Sequence, residues 1–224
     1  MSAYAEIVAP PIRQTPLSES GQCVILDRVS WETYEQLLSE NGDTSTTHFT
    51  YDQGLLEIMV LSAEHENYKD IIFLLINLVA EEMSIDVVSY GSTTFKRKDL
   101  ARGFEPDACF YIQNEARMRG KKRINLSVDP APDLVIEIDI TSPSLNKFPI
   151  FAALGVAEIW RYDGERVGIF ALQAGQYVEQ VESVMLPPVN GKLITEWVDA
   201  SQAMKRTAWL RLVREWARGQ HLDG

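Results

Sequence analysis

Cysteine is scarce in this chain, and so is any long apolar run. Cys23 and Cys109 are the only cysteines in 224 residues, and they stand far apart without metal-ligand spacing. That argues against a disulfide framework or a thiolate metal site and leaves two buried or idle thiols. No signal peptide is evident, so a reduced, cytoplasmic setting is expected. The longest apolar stretch, Ile71 to Ala80, contains Asn77. It falls short of the roughly 20 residues a helix needs to cross a bilayer, and a soluble protein is expected. Internal repeats, low-complexity tracts and Pro/Gly/Ser linkers are also missing, which excludes solenoids and argues against two separate domains. With 46% hydrophobic residues, one substantial core is expected. The main domain would span 30–185, with an arm over 1–29 and a helical extension over 186–224.

Positive charge is in deficit. There are 21 Lys and Arg against 32 Asp and Glu, a net charge of −11, the wrong overall sign for a protein held on nucleic acid by non-specific attraction. The cations are nevertheless gathered into two clusters, Lys96, Arg97, Lys98 and Arg102, then Arg117, Arg119, Lys121, Lys122 and Arg123. Each is either a solvated loop or a local patch that survives the negative total.

What the chain does contain is a β-branched run broken by acids. Pro132-Asp133-Leu134-Val135-Ile136-Glu137-Ile138-Asp139-Ile140 has the composition of a strand buried on both faces, and it leads into Thr141-Ser142-Pro143-Ser144-Leu145-Asn146-Lys147. The two-residue period of a strand places Glu137 and Asp139 on one face. Desolvated like charges repel there unless a cation or hydrogen-bond donors compensate, which marks a candidate site.

In chain order, Pro10, Pro11 and Pro16 mark an extended arm, and Ser30 caps a helix over 31–40 that ends at Asn41-Gly42. Residues 46–60 form a hairpin turning at Asp52-Gln53-Gly54. Ser62 opens a long helix whose apolar face runs through Tyr68, Ile71, Ile72, Leu75, Leu78 and Val79. Steps of about 100° per residue put Glu64 on that face, His65 at its edge and Glu66 opposite, so Glu64 is expected to look inward. Strands are expected over 85–90, 93–96 and 105–112, the last with Asp107 at its start; residues 113–131 form a basic loop. Pro149 suits the first turn of a helix beginning near Phe148 and stopping at Gly155. That puts Lys147 one short connection from Glu137. Three strands follow over 157–162, 167–172 and 176–181. A C-terminal helix then presents Ala203, Trp209, Leu212, Val213 and Trp216 on one face, a core or dimer contact.

The resulting order is helix with an acid, strand with Asp107, strand with Glu137-x-Asp139, lysine, helix, strand. Mg²⁺ takes oxygen ligands, commonly one or two carboxylates with waters left for a phosphate to share. A neighbouring lysine can position or deprotonate the attacking water and balance charge on a developing phosphorane. The pattern suits phosphodiester hydrolysis.

Glu64-His65-Glu66, Gly91-Ser92-Thr93-Thr94, Glu105-Pro106-Asp107, the run from Pro132 to Asp139 and Leu154-Gly155-Val156-Ala157-Glu158-Ile159-Trp160-Arg161-Tyr162 together resemble the bacterial Uma-type restriction endonuclease family of the PD-(D/E)XK nuclease superfamily. The resemblance covers about 30–185. It implies an α/β fold with a restriction-endonuclease-like core, a mixed central β-sheet flanked by helices, and an Mg²⁺- or Mn²⁺-dependent endonuclease acting on DNA. Asp107 and Glu137 match the family's metal-binding acids, and the main-chain carbonyl of Ile138 would be a further ligand. Glu64 and His65 match an acid and a histidine that open the first core helix. The superfamily lysine two residues after the acid is here Asp139, a reversal of sign, and Lys147 matches the displaced lysine that the family supplies from the following helix. The catalytic set implied is Glu64, Asp107, Glu137 and Lys147.

Two other classes are open on sequence grounds. One is a non-catalytic nucleic-acid-binding or regulatory protein on the same fold; the other is a structural acid cluster supporting an oligomer. Cutting both strands of duplex DNA calls for two related sites, so a homodimer is expected.

Overall fold

The computed structural model describes residues 21–42, 47–140 and 145–220. The first 20 residues of the expected arm and Thr141 to Ser144 lie outside them. The chain begins with β1 (Gln22–Leu26), α1 (Trp31–Asn41) and the hairpin β2 (Thr47–Asp52) and β3 (Leu55–Val60). β1 falls inside the segment expected as an arm, and it pairs antiparallel with β3 from Gln22 opposite Val60 to Leu26 opposite Leu56. Five residues are too few for a periodic signal, and the partner that makes them a strand lies over 30 residues on. The hairpin turns as expected because Gln53 and Gly54 both take positive φ, 49° and 104°. That twist matches the strands of a two-residue turn.

α2 (Ala63–Glu82) starts at Ser62, whose side chain accepts from the His65 amide, satisfying a donor that the first helical turn leaves free. After the helix, Ser84 adopts φ 56° and the chain turns. The strand expected over 85–90 is consequently reduced to β4 (Val88–Ser89). Next come β5 (Phe95–Arg97), β6 (Arg102–Phe104) and β7 (Ala108–Tyr111). A continuous strand over 105–112 does not form. Pro106 has no N–H for a ladder, and it marks the point where the chain leaves one sheet and enters another. The 113–131 loop contains the short α3 (Glu115–Met118). The remaining elements are β8 (Leu134–Ile138), α4 (Phe148–Leu154), β9 (Glu158–Tyr162), β10 (Val167–Gln173), β11 (Gln176–Gln180), α5 (Gly191–Ala203) and α6 (Arg206–Gln220).

These strands make two sheets where one central sheet was expected. The smaller has the order β1-β3-β2-β6-β5 and the larger β11-β10-β9-β8-β7-β4. β8 and β9 are parallel, connected through α4, while the other neighbours in the larger sheet are antiparallel. The class is α/β with a mixed sheet, as expected. At the C-terminus two helices replace one, with Met204 and Lys205 between them. Trp209, Val213 and Ala217 form the buried row of α6, spaced by four, whereas Leu212 is 40% exposed.

The larger sheet is covered on both faces. On one, Ile72, Leu75, Ile76 and Val79 of α2 share a core with Ile136, Trp160, Trp197 and Trp209. On the other, Cys109, Val135 and Ile159 meet Ile150 and Phe151 of α4 and Phe95 and Phe104 of the smaller sheet. α1 closes the outer face of the smaller sheet over Trp31, Tyr34, Phe49, Tyr51 and Leu56. The inner face of the smaller sheet is thereby pressed toward the ends of β7 and β8.

Phe104 ties the sheets together: it is fully buried, stacks on Phe95 at 5.3 Å and meets the edge of Phe151 at 4.6 Å. Phe104→Ala should lower stability by about 3–5 kcal/mol, the usual cost of emptying a buried aromatic site, measurable as a lower urea midpoint.

Candidate active site

Along β8 the side chains of Leu134, Ile136 and Ile138 pack toward α2, and Val135 packs the other way. Alternation sends Glu137 with Val135, toward the smaller sheet. β7 pairs with β8 through Ala108 opposite Ile136. One further step of that register sets Asp107 opposite Glu137. The two acids are 4% and 6% exposed, and like charges directly opposite on neighbouring strands repel.

Each acid has its own compensation. The Asp107 Oδ2 accepts from the Ile138 amide at 2.6 Å. His65 Nε2 lies 3.1 Å from that oxygen, and His48 Nδ1 lies 3.5 Å from Oδ1. The His65 ring is close to Asp107 but poorly aligned, and neither of its nitrogens completes a hydrogen bond of good geometry. Burial alone would weaken the acidity of Asp107; the imidazoles more than offset it, and the carboxyl is held well below the usual range. Burial likewise opposes the charge on His65, but Asp107, Glu137 and Glu66 raise its pKa overall.

Glu137 is compensated by Lys147, the residue before α4, whose Nζ donates to Oε2 at 2.8 Å. Burial nevertheless pushes Glu137 up to about 7, with Lys147 pulling down and Asp107 adding to the rise. Burial disfavours the Lys147 charge, yet Glu137, Asp107 and Glu57 together keep its pKa above the ordinary lysine value. Lys147 is therefore a firm cation. The other oxygen of Glu137, Oε1, is buried with no hydrogen-bond partner. An orphaned carboxylate oxygen beside a second carboxylate is costly, and it suits a hard cation. Among the described residues no group of three or more His, Cys, Asp or Glu side chains is arranged around an ion position.

The smaller sheet contributes two residues that sequence reasoning missed. His48 and Thr50 of β2 stand opposite Met59 and Glu57 of β3, and this inner face meets the acids. Glu57 is 1% exposed, lies 3.8 Å from Lys147 and accepts from the Leu145 amide at 2.5 Å. Glu57 gave the same signal as Glu137, a charge inside an apolar run. His48 gave none beyond alternating with Phe49.

Glu64 is a correction. It is exposed, whereas His65 is buried against Asp107. The buried arc of α2 is wide enough to admit either position. What decides is the neighbour below: a third carboxylate would repel Asp107 and Glu137, and an imidazole neutralises them. The sign reversal at Asp139 also finds its partner, because Arg161 donates to its Oδ2 from Nη2 at 2.6 Å and Nε at 3.0 Å. Asp133 is buried but structural, accepting from the amides of Ile112 and Asn114. A cleft of about 230 Å³ opens at Lys147, lined also by Met59, Glu137, Asp139, Asn146 and Arg161.

Residues 31–198 match the profile of Uma2, described as “Putative restriction endonuclease”. The chain belongs to the Uma2 family. The match takes in every strand of both sheets except β1 and supports a nuclease. A solved structure described as a “putative nuclease belonging to DUF820” from Anabaena variabilis is 17% identical, with a TM-score of 0.48, over 67% of this chain and 90% of that one. No curated protein matches the chain. No helix among the described residues is long and apolar enough to cross a membrane.

The ion pairs at Lys147 carry a stability consequence. Lys147→Met would leave Glu57 and Glu137 buried without a counter-charge, and breaking a buried pair in this way costs about 3–5 kcal/mol. Chemical denaturation in chelator should show that loss.

Proposed function

We propose that this protein is a divalent-metal-dependent endonuclease that hydrolyses phosphodiester bonds of DNA, with Asp107 and Glu137 as metal ligands and Mg²⁺ as the ion, Mn²⁺ substituting. The observation that carries this is the buried, unpartnered Oε1 of Glu137 beside Asp107, with a firm lysine cation 2.8 Å from the other oxygen. When bound, the ion would supply Lewis-acid polarisation of a phosphoryl oxygen and lower the pKa of a water. The remaining work falls to the chain. His48 and His65 hold Asp107 ionised and oriented. Lys147, kept protonated by three carboxylates, donates toward a phosphoryl oxygen and balances the charge of the pentacovalent transition state. Its raised pKa makes it a poor base, so of the two roles open on sequence grounds the electrostatic one is favoured. Arg161 occupies Asp139 and keeps that carboxylate from competing for the ion. Glu64, being exposed, has no part in this reading. A homodimer would bring the two sites that cleavage of both strands needs.

Purified protein should nick or linearise supercoiled plasmid with Mg²⁺ or Mn²⁺. Asp107→Ala/Glu137→Ala should abolish the reaction, Lys147→Ala should slow it by about 10²–10³-fold, as for loss of one charge-stabilising donor, and Asp139→Ala should leave it metal-dependent. Inert wild type across a range of salt would remove the catalytic claim.

Metal binding to the native state should also raise Tm. Sign fixes its pH dependence: a carboxyl must lose its proton to bind a cation, and Glu137 titrates at about 7. The metal-induced rise in Tm should grow as pH is raised from 6 through about 7, and a rise independent of pH would contradict Glu137 as a ligand.

A further inference from the structure

The two basic clusters of the sequence have different fates in the fold. In the first, every cation is consumed internally: Lys96 pairs with Glu35, Arg97 with Asp99, Lys98 with Glu32 and Arg102 with Asp52. In the second, three of five are also tied down. Arg117 donates to the Val128 carbonyl, Arg119 pairs with Glu115 and Lys121 with Asp129. These contacts shape the 113–131 loop. Lys122 and Arg123 remain; both are exposed, and among the described residues neither has an ion pair. Both line one wall of a cleft of about 560 Å³.

The lining of that cleft also reaches toward the acids. It includes His48, whose ring faces Asp107. His48 is the register partner of Met59, and Met59 lines the cleft at Lys147. Paired residues on adjacent antiparallel strands are about 5 Å apart, so the linings of the two clefts neighbour one another at the His48 and Met59 pair. The same lining carries Ser92, whose hydroxyl can donate to a phosphate oxygen, while the Thr93 and Thr94 hydroxyls are spent on the Tyr90 carbonyl and Glu105. Among the described residues lining this cleft the one acid is Glu105, and its carboxylate is turned to Thr94 Oγ1 at 2.5 Å and the Phe49 amide at 2.8 Å.

We propose that this second cleft is a phosphate-backbone subsite, in which Lys122 and Arg123 hold the substrate strand on the far side of Asp107 and Glu137 from Lys147. The subsite deepens the nuclease reading and rests on it. It explains how a chain of net charge −11 can still engage a polyanion: the attraction is local, two unspent cations set beside the chemistry. Lys122 and Arg123 are positioning residues with no sequence preference of their own.

The test is salt-dependent binding of a DNA duplex and of a single strand, measured with Ca²⁺ by anisotropy, together with steady-state cleavage in Mg²⁺. Lys122→Glu/Arg123→Glu should weaken binding at least about tenfold and flatten the plot of log K against log salt by about 2, one unit per lost phosphate contact. The cleavage defect should appear as a raised KM. Lys122→Arg/Arg123→Lys should restore the slope, which separates lost contacts from misfolding. Lys205→Glu/Arg206→Glu, at the exposed entry to α6, changes the net charge equally and should leave the slope in place. An unchanged slope in the first variant, or an equal change in the α6 control, overturns the subsite. A wild type that neither binds nor cuts nucleic acid overturns the nuclease reading, and the subsite with it.

Discussion

Asp107 opposite Glu137 is the constraint to which the neighbouring structure answers. Two carboxylates facing one another on adjacent strands, both withdrawn from water, would not stay ionised unaided. Compensation arrives from three directions. α2 delivers His65, the hairpin of the smaller sheet delivers His48, and the residue leading into α4 delivers Lys147. Glu57 then holds Lys147 from the far side. Removing any one partner would leave a buried charge exposed to its like.

The two-sheet architecture brings these partners to the acids from more than one side. Glu105-Pro106-Asp107 is the handover between the sheets: Glu105 bonds back to the amide of Phe49 in the smaller sheet, and Asp107 bonds forward to the amide of Ile138 in the larger. A single proline therefore places the first acid at a seam, where side chains from both sheets reach it. Phe104, just before the seam, locks the geometry through Phe95 and Phe151.

Much of this was legible in the residues because buried charge is rare. Glu137 inside its apolar run, Asp107 after a proline and Lys147 ahead of a Pro-started helix all stood out, and the structure brings these three together. The hairpin, α2, β8 and the last three strands were legible for a different reason, strong local periodicity with turn residues at their ends. Glu64 was misplaced because helical spacing admits both it and His65 to the buried arc, and only the charge beneath the helix chooses between them. His48 was missed because its meaning lies in a contact between the sheets, with Asp107; Glu57 did show as a charge inside an apolar run, but nothing local tied it to Lys147. β1 and the division into two sheets depend likewise on partners distant in sequence.

The claim that Asp107 and Glu137 jointly bind a cation is tested most directly by soaking crystals with Mn²⁺ and computing an anomalous difference map. The account predicts a single strong peak at oxygen-ligand distance from both carboxylates, on the Oε1 side of Glu137. A peak elsewhere with none between these acids, or a fully occupied site that survives Glu137→Ala unchanged, would contradict it.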